Sequence, residues 1–372
     1  MQKLDGHKFG GIFKFRQPVL LLRDPEIMKT VLVKEFTSFQ DNDFHSNKNS
    51  YIRIRRRVGS MLCRMAIESY IFWKESRSKL TPAFTPVKLK PVFPIIQEVC
   101  SDLMEYLREN HKNGRLTEAK ELSTKFTADS VANCAYGLKQ NSFQNPDSEF
   151  RKYGQFTYED IAAQALTFFT DGYETSSSAL SVLLHNLACH PTEQQRLRDE
   201  VDSALREHGK FTFEVVQGMT YLDMVLNESL RMHPIVPYMS RLCTKPFQLP
   251  RADGTPMTVE VGTPVITPIL AIHNDPQYYP EPKKFDPERF NEENNAQRPK
   301  YVHYPFGEGP RICLGMRFAQ IQIKTAVATI LSEFEIKRCE KTPEALTPVP
   351  TTFLFAPVQD IWVKFERRSD KI

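Results

Sequence analysis

Phe306-Gly307-Glu308-Gly309-Pro310-Arg311-Ile312-Cys313-Leu314-Gly315 sets a cysteine in a loop rich in glycine and proline, at the start of a helical stretch. Backbone N–H groups at a helix start favour negative charge, and Arg311, two residues before the sulfur, adds a positive one. Such surroundings suit a thiolate that acts as a ligand rather than as a nucleophile. Gly309 and Gly315 allow the backbone to come close to a flat partner. A lone cysteine in a turn would be read as structural; a ten-residue pattern of this kind is read as a site.

Working outward from this loop, residues 314–332 show helical periodicity. Upstream, proline is frequent between 234 and 310, with short β-like runs such as Val259–Val265. Helical stretches cover about 191–207 and 220–232. Before them runs a long helix from Ile161 to Cys189, introduced by Thr157-Tyr158-Glu159-Asp160, which resembles a capping box; its length is about eight turns. A polar loop spans 141–156. From 88 to 138 apolar residues recur at three and four, and Phe93, Ile96, Val99, Leu103 and Leu107 form one stripe, so amphipathic helices are expected. Asp24-Pro25-Glu26 opens a helix with proline at its first position. Residues 11–22 and the tail Phe353–Phe365 read as strands. The chain is therefore mainly α with a minor β part.

The 372 residues include 26 Phe, 2 Trp and 7 Cys, and 49 Lys+Arg against 45 Asp+Glu leave a net charge of +4. That weak excess gives no reason to expect nucleic acid as a partner. No C-x-x-C pair occurs, which argues against a zinc ribbon or a disulfide framework. No run of 18 apolar residues occurs and Met1–Gly6 is polar, so neither a transmembrane helix nor a signal peptide is expected in this sequence. Residues 46–71 are atypical: Arg53, Arg55, Arg56, Arg57 and Arg64 crowd among apolar residues, as in a basic surface segment. His185 and Cys189, four residues apart with His190 adjacent, mimic a metal site, but no further ligand is recognisable nearby and they read as a helix end packing on the core.

Four further patterns accompany the cysteine loop. Glu228-x-x-Arg231 puts an ion pair on one helix face, and Arg289 of Pro287-Glu288-Arg289-Phe290 can complete a network with it. Asp171-Gly172-Tyr173-Glu174-Thr175-Ser176 interrupts the long helix with a glycine that costs about 1 kcal/mol relative to alanine. Trp73-x-x-x-Arg77 places a tryptophan and an arginine on one face; core packing is the lesser reading of Trp73 taken alone.

In this order and at this spacing the five patterns resemble the cytochrome P-450 family, and the closest likeness is to its insect-type, microsomal, xenobiotic-metabolising branch. The resemblance implies a cytochrome P-450 fold as a single domain over 1–372. Its parts are an N-terminal β part and first helix over 1–45, the atypical segment at 46–71 and a helical haem-binding body over 72–372. It implies haem b with Cys313 as iron ligand, and propionates held by Trp73, Arg77, Arg241 and Arg311, with Phe306 and Gly315 also beside the cofactor. Glu228, Arg231 and Arg289 would support the proximal side. Gly172 would let the long helix open beside dioxygen, Thr175 would donate a hydrogen bond and Glu174 would link it to solvent protons. Phe168, Phe169, Ile235, Val236, Thr352 and Phe353 would line the substrate cavity. Electrons would come from NADPH through a reductase, the substrate would be a lipophilic small molecule, and intact relatives sit on the endoplasmic reticulum membrane.

Three features depart from the family. The membrane anchor is not found, and residues 46–71 do not resemble the loop over the haem. Near 153–156 the polar loop runs directly into the long helix, where the family has several helices that roof the pocket. An open distal side would favour wasteful release of reduced oxygen, so the alternative to a working hydroxylase is an impaired or haem-free variant acting only by binding. Asp171 stands where the family usually has alanine or glycine.

Overall fold

A continuous apolar run after Gln17, from Pro18 to Leu22, makes a strand, and Asp24 stops it. The Asp24 carboxylate accepts from the N–H groups of Glu26 and Ile27, and Pro25 begins helix α1, Pro25–Lys29, as the local sequence requires. The computed structural model describes residues 6–14, 16–43, 70–139, 141–144, 159–350 and 352–369, with the backbone alone at 70–73, 76 and 159–170. The basic segment 46–71 lies outside them except for the backbone at Tyr70 and Ile71, as do the cap at Thr157 and the junction at 153–156.

Two units form. The first contains residues 1–81, 236–283 and 296–314; the second contains 82–235, 284–295 and 315–372. In the first, strands β1 (Phe9–Lys14), β2 (Gln17–Leu22), β4 (Met239–Leu242) and β7 (Pro264–Thr267) build a sheet in the order β1-β2-β7-β4. β1 and β2 form an antiparallel hairpin, while β2 and β7 run parallel with Leu20 opposite Val265. β5 (Phe247–Pro250) and β6 (Pro256–Val259) make a separate hairpin, and helix α2 (Tyr70–Leu80) completes the unit's main elements. Val259–Val265, read as one β run, is in fact two strand ends. Gly262 at φ 86° turns the chain between them.

The second unit is helical: α3 (Phe93–Lys112), α4 (Ala119–Tyr136), α5 (Glu159–Cys189), α6 (Pro191–His208), α7 (Thr220–Met232) and α8 (Met316–Glu333). Phe93, Ile96, Val99, Leu103 and Leu107 are all buried, so the expected stripe is the core face of α3. α4 and α5 pack along one another. Polar side chains tie this core at two points: Thr127 donates to Tyr173 O at 3.0 Å and Gln322 to Ser176 Oγ at 2.9 Å. A small sheet of β3 (Thr117–Glu118), β9 (Trp362–Arg367) and β8 (Phe334–Arg338) closes the unit. Only the end of the expected tail strand exists, because residues 353–361 form bends and a single bridge between Pro357 and Pro348 before β9. His185 Nε2 lies 2.8 Å from Pro343 O, a contact that helps to bury the end of α5.

Candidate active site

The segment 40–43 organises the first unit's site. Leu242 N donates to Asp41 O at 2.6 Å, which lays the segment along the edge strand β4. Successive side chains of a strand point to opposite faces. Ser240 donates to Asp43 Oδ1 at 2.7 Å, and Lys14 reaches the same carboxylate at 2.7 Å. Arg241, 5% exposed, donates to Asn42 Oδ1 at 2.9 Å. Arg311 donates through Nε to Gln40 O at 2.8 Å. These two arginines repel: burial first, and Arg311 second, hold the Arg241 guanidinium down to about 9. Arg241 Nε is buried with no hydrogen-bond partner.

The cysteine loop closes on itself. Cys313 N donates to Phe306 O at 2.8 Å, Ile312 N to Gly309 O at 3.0 Å and Gly307 N to Tyr304 O at 2.9 Å. Cys313 presents an exposed thiol. Arg77, from α2, donates to Ile312 O at 2.7 Å. Burial lowers its guanidinium, and the charge of the Cys313 sulfur pulls it back up. Gly309 serves a purpose the loop pattern did not reveal. It sits at φ 74°, and a Cβ there would come within 2.1 Å of Leu32 O, so the close approach is to the chain's own backbone. Gly315 opens α8, and a Cβ there would meet nothing within 4 Å. The backbone of Trp73 lies on α2, while its side chain is outside the described atoms.

In the second unit Glu228 and Arg231 are both 0% exposed. Arg231 grips the carboxylate with two bonds, Nε to Oε2 at 2.7 Å and Nη2 to Oε1 at 2.9 Å. Asp286 N adds a third at 2.9 Å, and Arg289 stands 3.5 Å from Oε1. Burial pushes the Glu228 carboxyl up, and Arg231 opposes that push. The pattern read from sequence is therefore assembled here as one network.

α5 runs unbroken through 171–176. Gly172 opens no gap in the helix; a Cβ there would press on Val131 Cγ2 at 3.2 Å, so the glycine admits α4. Thr175 donates to its own helix, to Asp171 O at 2.6 Å. Asp171 Oδ1 is buried without a partner, and burial lifts that carboxyl from 3.8 to about 7. Glu174 meets Lys120 of α4 at 2.9 Å. Of the cavity residues, Ile235 is buried and its carbonyl accepts from Phe355 N at 2.7 Å, while Thr352 and Phe353 are exposed. Val236 is half-buried in the first unit. Phe168 and Phe169 lie on α5, with side chains outside the described atoms.

Sequence reasoning missed Gln40, Asn42 and Lys120. They belong to no local motif, and their partners lie 54 to 271 residues away.

These residues fit a haem. Two mutually repelling guanidiniums, one with an unpartnered buried Nε, call for an anion, and haem carries two carboxylates. A cysteine thiol beside a guanidinium suits an iron ligand. A mainly helical chain with this loop falls in the class of haem-thiolate proteins. A model of the cytochrome P450 family matches residues 5–155 and 147–362, and the chain belongs to that family. It is 30% identical to cytochrome P450 6k1 of Blattella germanica, with 98% of this chain and 86% of the relative aligned. It is 32% identical to probable cytochrome P450 6a13 of Drosophila melanogaster over 96% of this chain and 85% of the relative. Lithocholate 6-beta-hydroxylase of Mesocricetus auratus is also 32% identical, with 91% of this chain and 81% of the relative aligned. The likeness to insect relatives supports the branch read from the sequence. The chain is a monooxygenase, and proteins of its family bind haem b and take electrons from NADPH through a reductase.

Proposed function

We propose that this chain hydroxylates a lipophilic small molecule, a xenobiotic or an endogenous compound such as a hormone or fatty acid, on the cytoplasmic face of the endoplasmic reticulum membrane. Electrons reach it from an NADPH-dependent reductase. Names among its relatives support the substrate class, one of them being lithocholate 6-beta-hydroxylase. Among the described residues no helix is long and apolar enough to cross a membrane, so contact with the bilayer would involve other parts of the chain or its surface.

The observation that carries the reading is the cysteine loop with Arg77, Arg241 and Arg311 gathered in one unit. Bound haem supplies the activation of dioxygen, one atom of which enters the substrate while the other leaves as water. Cys313 holds the iron through its sulfur, and Arg77 keeps that sulfur next to a positive charge. Arg241 and Arg311, with Trp73, hold the carboxylates, and Phe306 O fixes the loop through the Cys313 N–H. Glu228, Arg231 and Arg289 keep the supporting backbone in place. Glu174 passes protons from solvent at its carboxylate, and the Thr175 hydroxyl hands them on after turning away from Asp171 O. Phe168, Phe169, Ile235, Val236, Thr352 and Phe353 contact the substrate.

A second reading, a poorly coupled enzyme, is favoured by one finding. The alignment with the Blattella relative runs over 460 positions although this chain has 372 residues. At least 88 positions of that alignment therefore have no counterpart here, and the family model matches in two pieces that meet at 147–155. This supports a deletion near 153–156 that removes roof helices.

The carbon monoxide difference spectrum of the reduced protein tests the main reading. A red-shifted Soret band that disappears in Cys313→Ala is expected; a band that survives the substitution, or no band at all, overturns it.

A further inference from the structure

The acid of the α5 motif is not left to solvent. The Lys120 ammonium lies in the first turn of α4, 2.9 Å from Glu174 Oε1, 3.3 Å from Glu174 O, 2.6 Å from Ser177 Oγ and 2.8 Å from Ser178 Oγ. Four acceptors surround a group with three protons. The position is unfavourable for a cation in every other respect. The first turn of a helix carries partial positive charge, and burial lowers the Lys120 ammonium, with Glu174 and then Glu118 opposing. Glu118, which caps α4 through the N–H groups of Lys120 and Glu121, is the second anion near it, and Glu118 itself feels Asp360. Asp171 lies one turn before Glu174 on α5. Ser177 also donates to Glu174 O at 3.0 Å, which fixes the serine that Lys120 uses.

A surface ion pair would not draw a lysine into this place, since such pairs contribute little. We propose that Lys120 is a positioning residue for Glu174, holding its carboxylate in one orientation across the seam between α4 and α5. The proposal rests on the reading of Glu174 as the proton-delivering acid. In that role a fixed carboxylate takes up solvent protons at a constant place and releases them toward Thr175. Ser177 and Ser178 hold the ammonium so that it cannot swing away.

The test uses the full chain and its Lys120→Met, Lys120→Arg and Glu174→Gln variants, labelled with carbon-13 glutamate. The Glu174 carboxyl resonance is assigned by its loss in Glu174→Gln and is observed by NMR with or without bound haem. In Lys120→Met the resonance is expected to broaden and move, as the carboxylate loses its single place. Lys120→Arg restores the original line. Product formed per NADPH consumed falls several-fold in Lys120→Met and returns in Lys120→Arg, while the carbon monoxide spectrum stays unchanged. A Glu174 resonance that ignores Lys120→Met overturns the proposal. So does a resonance that changes while product formation does not, since the pair is then only structural. A chain with no haem band defeats the functional reading by that result alone, and the NMR line still decides whether Lys120 holds Glu174.

Discussion

Asp171 and Arg241 each hold a buried polar atom with no partner, and each makes a prediction. Burial lifts the Asp171 carboxyl from 3.8 to about 7. Between about pH 4 and 7 the folded chain therefore binds more protons than the unfolded one, and stability falls as pH rises through that window. Asp171→Asn removes this slope, because an amide carries no charge at any pH, and stabilises the chain above pH 7 by roughly 4 kcal/mol, at about 1.4 kcal/mol per pH unit between the two carboxyl values. Urea unfolding at pH 5 and pH 8 measures it; equal losses of stability from pH 5 to pH 8 in both proteins would refute it. Arg241 is held down to about 9 by burial and by Arg311. Arg241→Met should relieve that repulsion and leave the haem-free chain at least as stable. The same substitution removes a charge-assisted bond worth about 1.5–3 kcal/mol. Haem is then expected to transfer to apomyoglobin roughly ten to a hundred times more readily, by RT ln K for that range. A variant that loses stability but keeps its haem would show that Arg241 serves only the fold.

At the scale of elements, the cysteine loop is seated on the backbone of Leu32. Gly309→Ala would place a Cβ 2.1 Å from Leu32 O at a φ of 74°. The strain exceeds the ordinary 1 kcal/mol of a mismatched glycine replacement. A drop in the melting temperature, together with lower haem content, is expected from calorimetry and pyridine haemochrome titration. Gly315→Ala meets open space and should change stability much less. The helices were largely legible, because the stripe on α3 and the caps of α1 follow from residues a few positions apart. Arg77, Arg311 and the Glu228 pair were legible for the same reason, each lying in a short pattern, whereas Arg241 came only from the family resemblance. Gln40, Asn42 and Lys120 were not, since an arginine's partner 199 residues away leaves no local trace. β8 was hidden because α8 passes into it at Phe334 with no glycine or proline between, although Phe334 and Ile336 alternate with polar residues. Gly172 was legible as a special position but not as a packing one, because the sequence of α5 says nothing of Val131 on α4.

At the scale of the molecule, an alignment of 460 positions met by 372 residues predicts a leaky enzyme. Water that reaches the reacting centre diverts reduced oxygen from product. More peroxide than hydroxylated product per NADPH consumed is expected, measured by peroxide assay beside NADPH oxidation. Tight coupling would show that the remaining residues enclose the centre unaided. The first unit also has an unusual history. It is stitched from residues 1–81, 236–283 and 296–314, and its β2 finds β7 only at Pro264–Thr267. On a ribosome adding about 5–20 residues per second, the β1–β2 hairpin would emerge early and then wait roughly ten to fifty seconds for its parallel neighbour. During that interval one side of β2 offers unpaired backbone groups to any other nascent chain. The yield of this protein in a cell would then be set during translation, by whatever shields that strand until its distant neighbour is made.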